Sequence, residues 1–331
     1  MSKRSVGALT VMNAVLCLCV ILVHLNNAPL QELPVENGWF IAAFSVNRVL
    51  SFVVPAFLFL SGYKLFARYR EAPPSVGRFY LGRARKIVLP YLVAVAVYFV
   101  YFYLKGWVYL NNLPEYVLLG TLAAHFYYVV IAVQFYLLFP LLRWLVTRWP
   151  RATLAVSFGC TLVFQQFNPI PYTDRCFAAY LFYFVLGMLV SRCPVREKGT
   201  KPLRILPVFW LVSAIFHTCL SYLQVAGKIA YSLSGTVNLF CATLAILLLF
   251  CVCIKLEKTP LLRMGKIIGN GSYAVYLYHV LAIFILQYDV YSRVEWPLAL
   301  RYGISLAVVY GAAIIYTCLK SRFAKIRAGA R

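Results

Sequence analysis

Residues 7–27 read GALTVMNAVLCLCVILVHLNN. The run has about the 20 apolar residues that a helix needs to cross a hydrocarbon core of ~30 Å, yet it carries Asn13 and His24. An ionisable group is costly to hold in lipid, so an imidazole inside a spanning helix marks a candidate for chemistry. Eleven helical steps of ~100° return to within ~20° of the start, which puts Asn13 and His24 on one stripe about 16 Å apart. Lys3 and Arg4 ahead of an apolar run also fit a secretory signal. The length of the run and the lack of a convincing small-x-small cleavage site predict instead a helix of the mature protein.

The pattern continues along the chain. Of 331 residues, 63% are hydrophobic and 12% charged, with a mean hydropathy of +0.79, against about 25% charged in soluble domains. A membrane-spanning chain must satisfy its backbone internally, and long uninterrupted runs favour helices over the ~10-residue alternating segments of a barrel. Apolar runs near 7–27, 39–66, 83–104, 117–142, 152–167, 176–192, 205–224, 230–254, 269–288 and 298–319 predict an all-α, polytopic membrane bundle of ten helices. No soluble segment longer than a loop interrupts them, so one domain is expected over residues 1–331.

The net charge of +23 would suggest nucleic acid in a soluble protein. Here it follows topology. All but six of the 32 Lys and Arg fall before the first run, after the last, or in alternate loops. The exceptions are Lys105, Arg175, Lys228, Arg293 and Arg301 on the opposite side, and Arg48 within a run. That bias fits the positive-inside rule with both termini cytoplasmic, and contact with anionic membrane lipid replaces nucleic acid as the reason for the charge. Most of the ten cysteines lie within helices, Cys251 and Cys253 point to different faces, and no Cys/His spacing matches a zinc site. No metal is expected.

Other polar groups within the runs extend the candidate site. Arg48 lies about 13 Å down the second helix from outside and His24 about 25 Å along the first from inside, so the two are expected at one level. A guanidinium does not shed its proton to escape lipid, and all nine carboxylates lie in loops or at helix ends. A water-filled chamber or a visiting anionic ligand is therefore expected near Arg48. His279 falls near the middle of the ninth helix and His125 near the outer end of the fourth. His217 has few polar neighbours and reads as structural; Asp174 beside Arg175 reads as a solvated loop pair.

These residues recur in an order that resembles the acyltransferase family 3 membrane proteins, which O-acylate cell-surface sugars. The matching stretches are Val23-His24, Arg48 followed by VPAFLFLSGY at 54–63, RARKIVLPY at 83–91, HFYY at 125–128, QFYLLFP at 134–140 and NGSYAVYLYH at 270–279. In the family's first helix an Arg precedes the essential His by eleven positions. Asn13 stands at that place here, and an amide carries no charge for a phosphate or an anionic intermediate.

The resemblance implies acyl-CoA, with acetyl the expected group, as a cytoplasmic co-substrate, and a hydroxyl of a cell-surface or lipid-linked glycan as acceptor. It implies a multi-pass protein of a bacterial inner membrane, with polysaccharide-assembly proteins as possible partners and no bound cofactor. His24 would act as general base or take the acyl group briefly, and Arg48 or a Tyr hydroxyl would stabilise the oxyanion. Asn13, His125, Tyr128, Gln134, Ser272 and His279 are the expected substrate contacts, with Arg83, Arg85 and Lys86 expected at the CoA phosphates. A polar chamber in a helix bundle would serve a transporter or flippase equally well, and the loss of the motif Arg would suit a non-catalytic partner in polysaccharide assembly. Inverted repeats and paired broken helices, the usual marks of a transporter, are not evident.

Overall fold

The computed structural model describes residues 3–193, 202–256 and 259–329, and all regular structure among them is helical. In chain order the helices are α1 (Lys3–Leu25), α2 (Asn27–Glu32), α3 (Gly38–Val49), α4 (Val53–Arg68), α5 (Val76–Arg83), α6 (Leu89–Leu104) and α7 (Leu113–Leu118). They continue with α8 (Tyr127–Arg148), α9 (Pro150–Phe167), α10 (Leu181–Val190), α11 (Pro202–Val225), α12 (Ser234–Leu256), α13 (Leu261–Ile285) and α14 (Leu298–Gly329). The basic residues Arg196, Lys198, Lys201, Lys258 and Arg331 lie outside the described residues.

Every one of the ten apolar runs contains a helix. Among the described residues, eight helical tracts are long and apolar enough to cross a membrane; α9 and the short apolar tract Phe177–Val190 are not among them. The chain is thus a polytopic helical membrane protein. The boundaries move where glycine decides. The fourth run begins at Ala124 instead of 117, because Gly120 takes φ +66° and a Cβ there would sit 2.9 Å from the Phe126 carbonyl carbon. That left-handed conformation favours glycine and ends α7 before the span.

The chain gathers into two compact units, Met1–Phe57 with Val195–Arg331, and Leu58–Pro194. In the first, α1 packs against α12, α13 and α14. Close approach to α13 comes from two glycines one turn apart: a Cβ on Gly265 would lie 3.1 Å from the Val11 Cα, and one on Gly269 would touch Thr10. This is a small-xxx-small face, which lets helix backbones approach where lipid gives no hydrophobic drive for association. Farther along the seam, Cys17, Ile21 and Leu25 of α1 bury against Val275 and Val309.

In the second unit α4 and α10 cross in direct backbone contact. A Cβ on Gly62 would collide with the Phe184 carbonyl oxygen, and one on Gly187 with the Phe59 carbonyl oxygen. Phe184 then stacks on Phe135 of α8 with centroids 4.4 Å apart. The Gln134 amide fixes the turn before α10: its Nε2 donates to the Arg175 carbonyl at 2.9 Å, and its Oε1 accepts from the Phe177 N–H at 2.7 Å.

Candidate active site

The polar groups on α1 meet polar groups on α13. Asn13 Nδ2 donates to Ser272 Oγ at 2.7 Å and lies 3.4 Å from the Gly269 carbonyl, to which Ser272 Oγ itself donates at 2.9 Å. At the second level the His24 and His279 rings stand edge to face, centroids 5.1 Å apart. Eleven residues on α1 make about three turns and seven on α13 about two, so each helix keeps both of its groups on the facing side. The stripe expected from the Asn13–His24 spacing is therefore the α1 face of this seam. Ser272 and His279 complete it.

His279 is held by its own helix. Its Nδ1 lies 2.8 Å from the Tyr276 carbonyl and 3.1 Å from the Val275 carbonyl, both acceptors only, so Nδ1 carries the proton. In the neutral ring Nε2 then bears the lone pair. His279 is 4% exposed, whereas His24 is half-buried. Two imidazoles at this separation resist carrying two charges, since like charges in a low dielectric disfavour each other.

His24 also lines a cavity of about 100 Å³ with Asn27, Gln31, Glu32, Gln287, Arg301 and Ser305. The Arg301 guanidinium donates to Glu32 through two bonds, Nη1 to Oε1 at 3.2 Å and Nη2 to Oε2 at 2.5 Å, and its Nε donates to the Trp296 carbonyl at 3.0 Å. This fork ties α2 to α14 beside the cavity. Asn26 adds a second tie: it accepts from Tyr302 Oη at 2.7 Å and donates to Asn47 Oδ1 at 2.9 Å. The sequence reading missed this frame. Glu32 and Arg301 were visible only as loop charges, and nothing local pairs residues 269 positions apart.

The remaining predicted residues fall elsewhere. Asn47 donates to the Val23 carbonyl at 3.3 Å, and a neighbour on a helix points ~100° away. Arg48 accordingly lies exposed on α3 with its guanidinium over the Phe44 ring, 5.1 Å from the centroid. Among the described residues no carboxylate pairs with it. In the second unit His125 is buried against Tyr98 and Phe126, and Tyr128 hydrogen-bonds Ser61. Both amide ends of Gln134 are occupied by backbone, which suits a positioning role. Arg83 covers the Phe79 and Tyr136 rings, while Arg85 and Lys86 are exposed on the π-helical turn Ala84–Val88. His217 Nδ1 meets Tyr231 Oη at 3.2 Å, and Arg175 pairs with Asp174 at 2.9 Å.

The Asn13–Ser272 contact makes a prediction of its own. Interhelical hydrogen bonds in membranes contribute roughly 0.6–1.7 kcal/mol. Asn13→Leu, of similar size, is expected to lower the unfolding midpoint measurably in detergent while leaving a folded protein. Ser272→Ala should cost less stability once Asn13 is replaced than it does alone, because the bond to Asn13 is then already gone and only the Ser272–Gly269 bond remains to be lost. Additive losses would count against the bond.

No solved structure matches the chain. YfiQ of Bacillus subtilis (strain 168), a proposed membrane-bound acyltransferase, is 26% identical over 300 residues, covering 80% of this chain and 77% of its own. The sequence model of the acyltransferase 3 family, described as an acyltransferase domain, matches residues 6–318, which take in both compact units and the whole α1–α13 seam. The chain is a multi-pass membrane protein that belongs to the acyltransferase 3 family.

Proposed function

We propose that the protein is an O-acyltransferase that moves an acyl group from acyl-CoA, supplied on the cytoplasmic side, to a hydroxyl of a cell-surface or lipid-linked glycan. The setting would be a bacterial inner membrane. The observation that carries the reading is the His24–His279 pair, in which His24 borders a cavity that also holds the Glu32–Arg301 ion pair. Acyl transfer needs one proton moved twice. As the acceptor oxygen attacks the thioester carbonyl carbon, neutral His24 takes the hydroxyl proton; the C–S bond then breaks and the departing thiolate receives that proton. The second imidazole orients the first and discourages a second charge. Arg85 and Lys86 remain the candidates for the CoA phosphates.

Arg48, turned away from the pair, is assigned to ligand attraction and not to the chemical step. Arg48→Ala should therefore raise KM more than it lowers kcat. The reading is tested with purified protein in lipid vesicles and radiolabelled acetyl-, butyryl- and octanoyl-CoA, following thioester loss and label on added lipid-linked glycan. Turnover with label transferred supports it. If wild type cleaves none of these thioesters, the enzyme reading fails, and solute uptake into the same vesicles becomes the relevant measurement.

A further inference from the structure

His279 borders a second cavity. It measures about 340 Å³ and is lined by Ala274, Val275, Tyr278, His279 and Ala282 of α13 and by Val309, Ala312, Ala313 and Tyr316 of α14. The cavity at His24 is mixed in character: two glutamines, an asparagine, a serine and an ion pair share its lining with Leu25, Val280, Ile283 and Phe284. Here every lining group is aliphatic apart from two tyrosines and the histidine. The imidazole pair therefore stands between a mixed cavity and an apolar one.

The apolar cavity is an open groove between α13 and α14, with Ala312 and Tyr316 exposed. Positions 274, 275, 278, 279 and 282 follow one face of α13, and 309, 312, 313 and 316 follow one face of α14. From 274 to 282 the rise is about 12 Å. Four alanines keep the walls back, and the space is roughly twice the ~150 Å³ of a dry apolar cavity that binds benzene. Its volume of about 340 Å³ corresponds to a chain on the order of eleven carbons at most, if each methylene takes about a water's share of ~30 Å³.

We propose that this cavity holds the hydrocarbon chain of the acyl donor, with the thioester carbonyl beside His279, so that Ala274, Ala282, Ala312 and Ala313 set the chain length transferred. The proposal rests on the acyl-transfer reading and narrows it: the natural donor carries a medium chain, and acetyl is merely the shortest group that fits. Burial in the alanine-walled groove recovers about 0.8 kcal/mol per methylene, and no ion pair lines it, unlike the cavity bordered by Glu32 and Arg301. This energy is available at the site only to donors long enough to reach into it.

The test compares acetyl-, butyryl-, octanoyl- and palmitoyl-CoA with the full-length protein in lipid, for wild type, Ala312→Phe and Ala274→Leu. Wild type should prefer octanoyl- over acetyl-CoA by at least tenfold in kcat/KM. Each variant should lower that octanoyl-to-acetyl ratio by tenfold or more, and a ratio is insensitive to a general loss of folded enzyme. An unchanged ratio, or a wild type that prefers acetyl-CoA, overturns the proposal. A second measurement stands apart from activity: octanoyl-CoA with a diazirine at the chain end is photocrosslinked to wild type. Labelled peptides from 274–282 or 309–316 support the groove. Labels elsewhere overturn it, as does labelling of these peptides by a diazirine phospholipid that octanoyl-CoA does not displace. If no thioester is cleaved but crosslinks fall in the groove, the acyl-transfer reading fails and the chain site stands.

Discussion

His24→Ala is expected to lower acyl transfer by about 10²–10⁴-fold, the usual contribution of a positioned general base. The protein should still fold, because His24 is half-buried at the end of α1 and the seam below it is held by Cys17, Ile21, Leu25 and the Asn13–Ser272 bond. His279→Ala should cost less, since its Nδ1 is committed to the carbonyls of its own helix and it acts through its neighbour. The decisive variant is the double one. Groups that act as a unit are strongly non-additive, so His24→Ala combined with His279→Ala should be no slower than His24→Ala alone. Multiplying defects in kcat, with both single variants folded, would mean that the rings work separately and that the pair is not the proton-handling device.

The largest structural effect is expected where α4 crosses α10. Gly62 and Gly187 form a reciprocal contact in which each glycine faces a carbonyl oxygen of the other helix, from Phe184 and Phe59. Overpacking a core typically costs 1–3 kcal/mol when side chains give way; here the obstacle is backbone, which does not. Gly187→Leu should therefore destabilise the second unit by roughly 3 kcal/mol or more, read as loss of monodisperse protein on extraction and of the stacked Phe135–Phe184 environment. Gly159→Leu is the control, because nothing lies within 4 Å of a Cβ at that position, and it should express normally. Equal losses in both would show that a general intolerance of bulk, and not the crossing, is responsible.

Much of the site was legible as residue types and little of it as partners. The Asn13–His24 stripe followed from 3.6-residue periodicity, and the structure puts both groups on one seam. Arg48 was expected at the level of His24; depth along a helix was the argument, and depth says nothing of azimuth. Asn47, one residue earlier, faces α1 and turns Arg48 aside. Gln134 was expected as a substrate contact from the family resemblance, and the structure shows its amide bonded at both ends to the backbone at Arg175 and Phe177. The Gly265–Gly269 spacing was a readable signal for close helix approach that the sequence reading did not use.

By itself the sequence determined that the chain is a multi-pass helical membrane protein, because burial of apolar runs and internal backbone hydrogen bonding leave no other solution for this composition. It also determined which polar residues lipid would make expensive. Only the tertiary structure decided that α1 lies against α13, that His24 meets His279, and that a mixed cavity and an apolar one border the same pair. Periodicity fixes the face a helix presents but not the helix it faces. Contacts between residues some 255 positions apart, such as Cys17 with Ser272, are set by which surfaces pack most closely once all the helices are present.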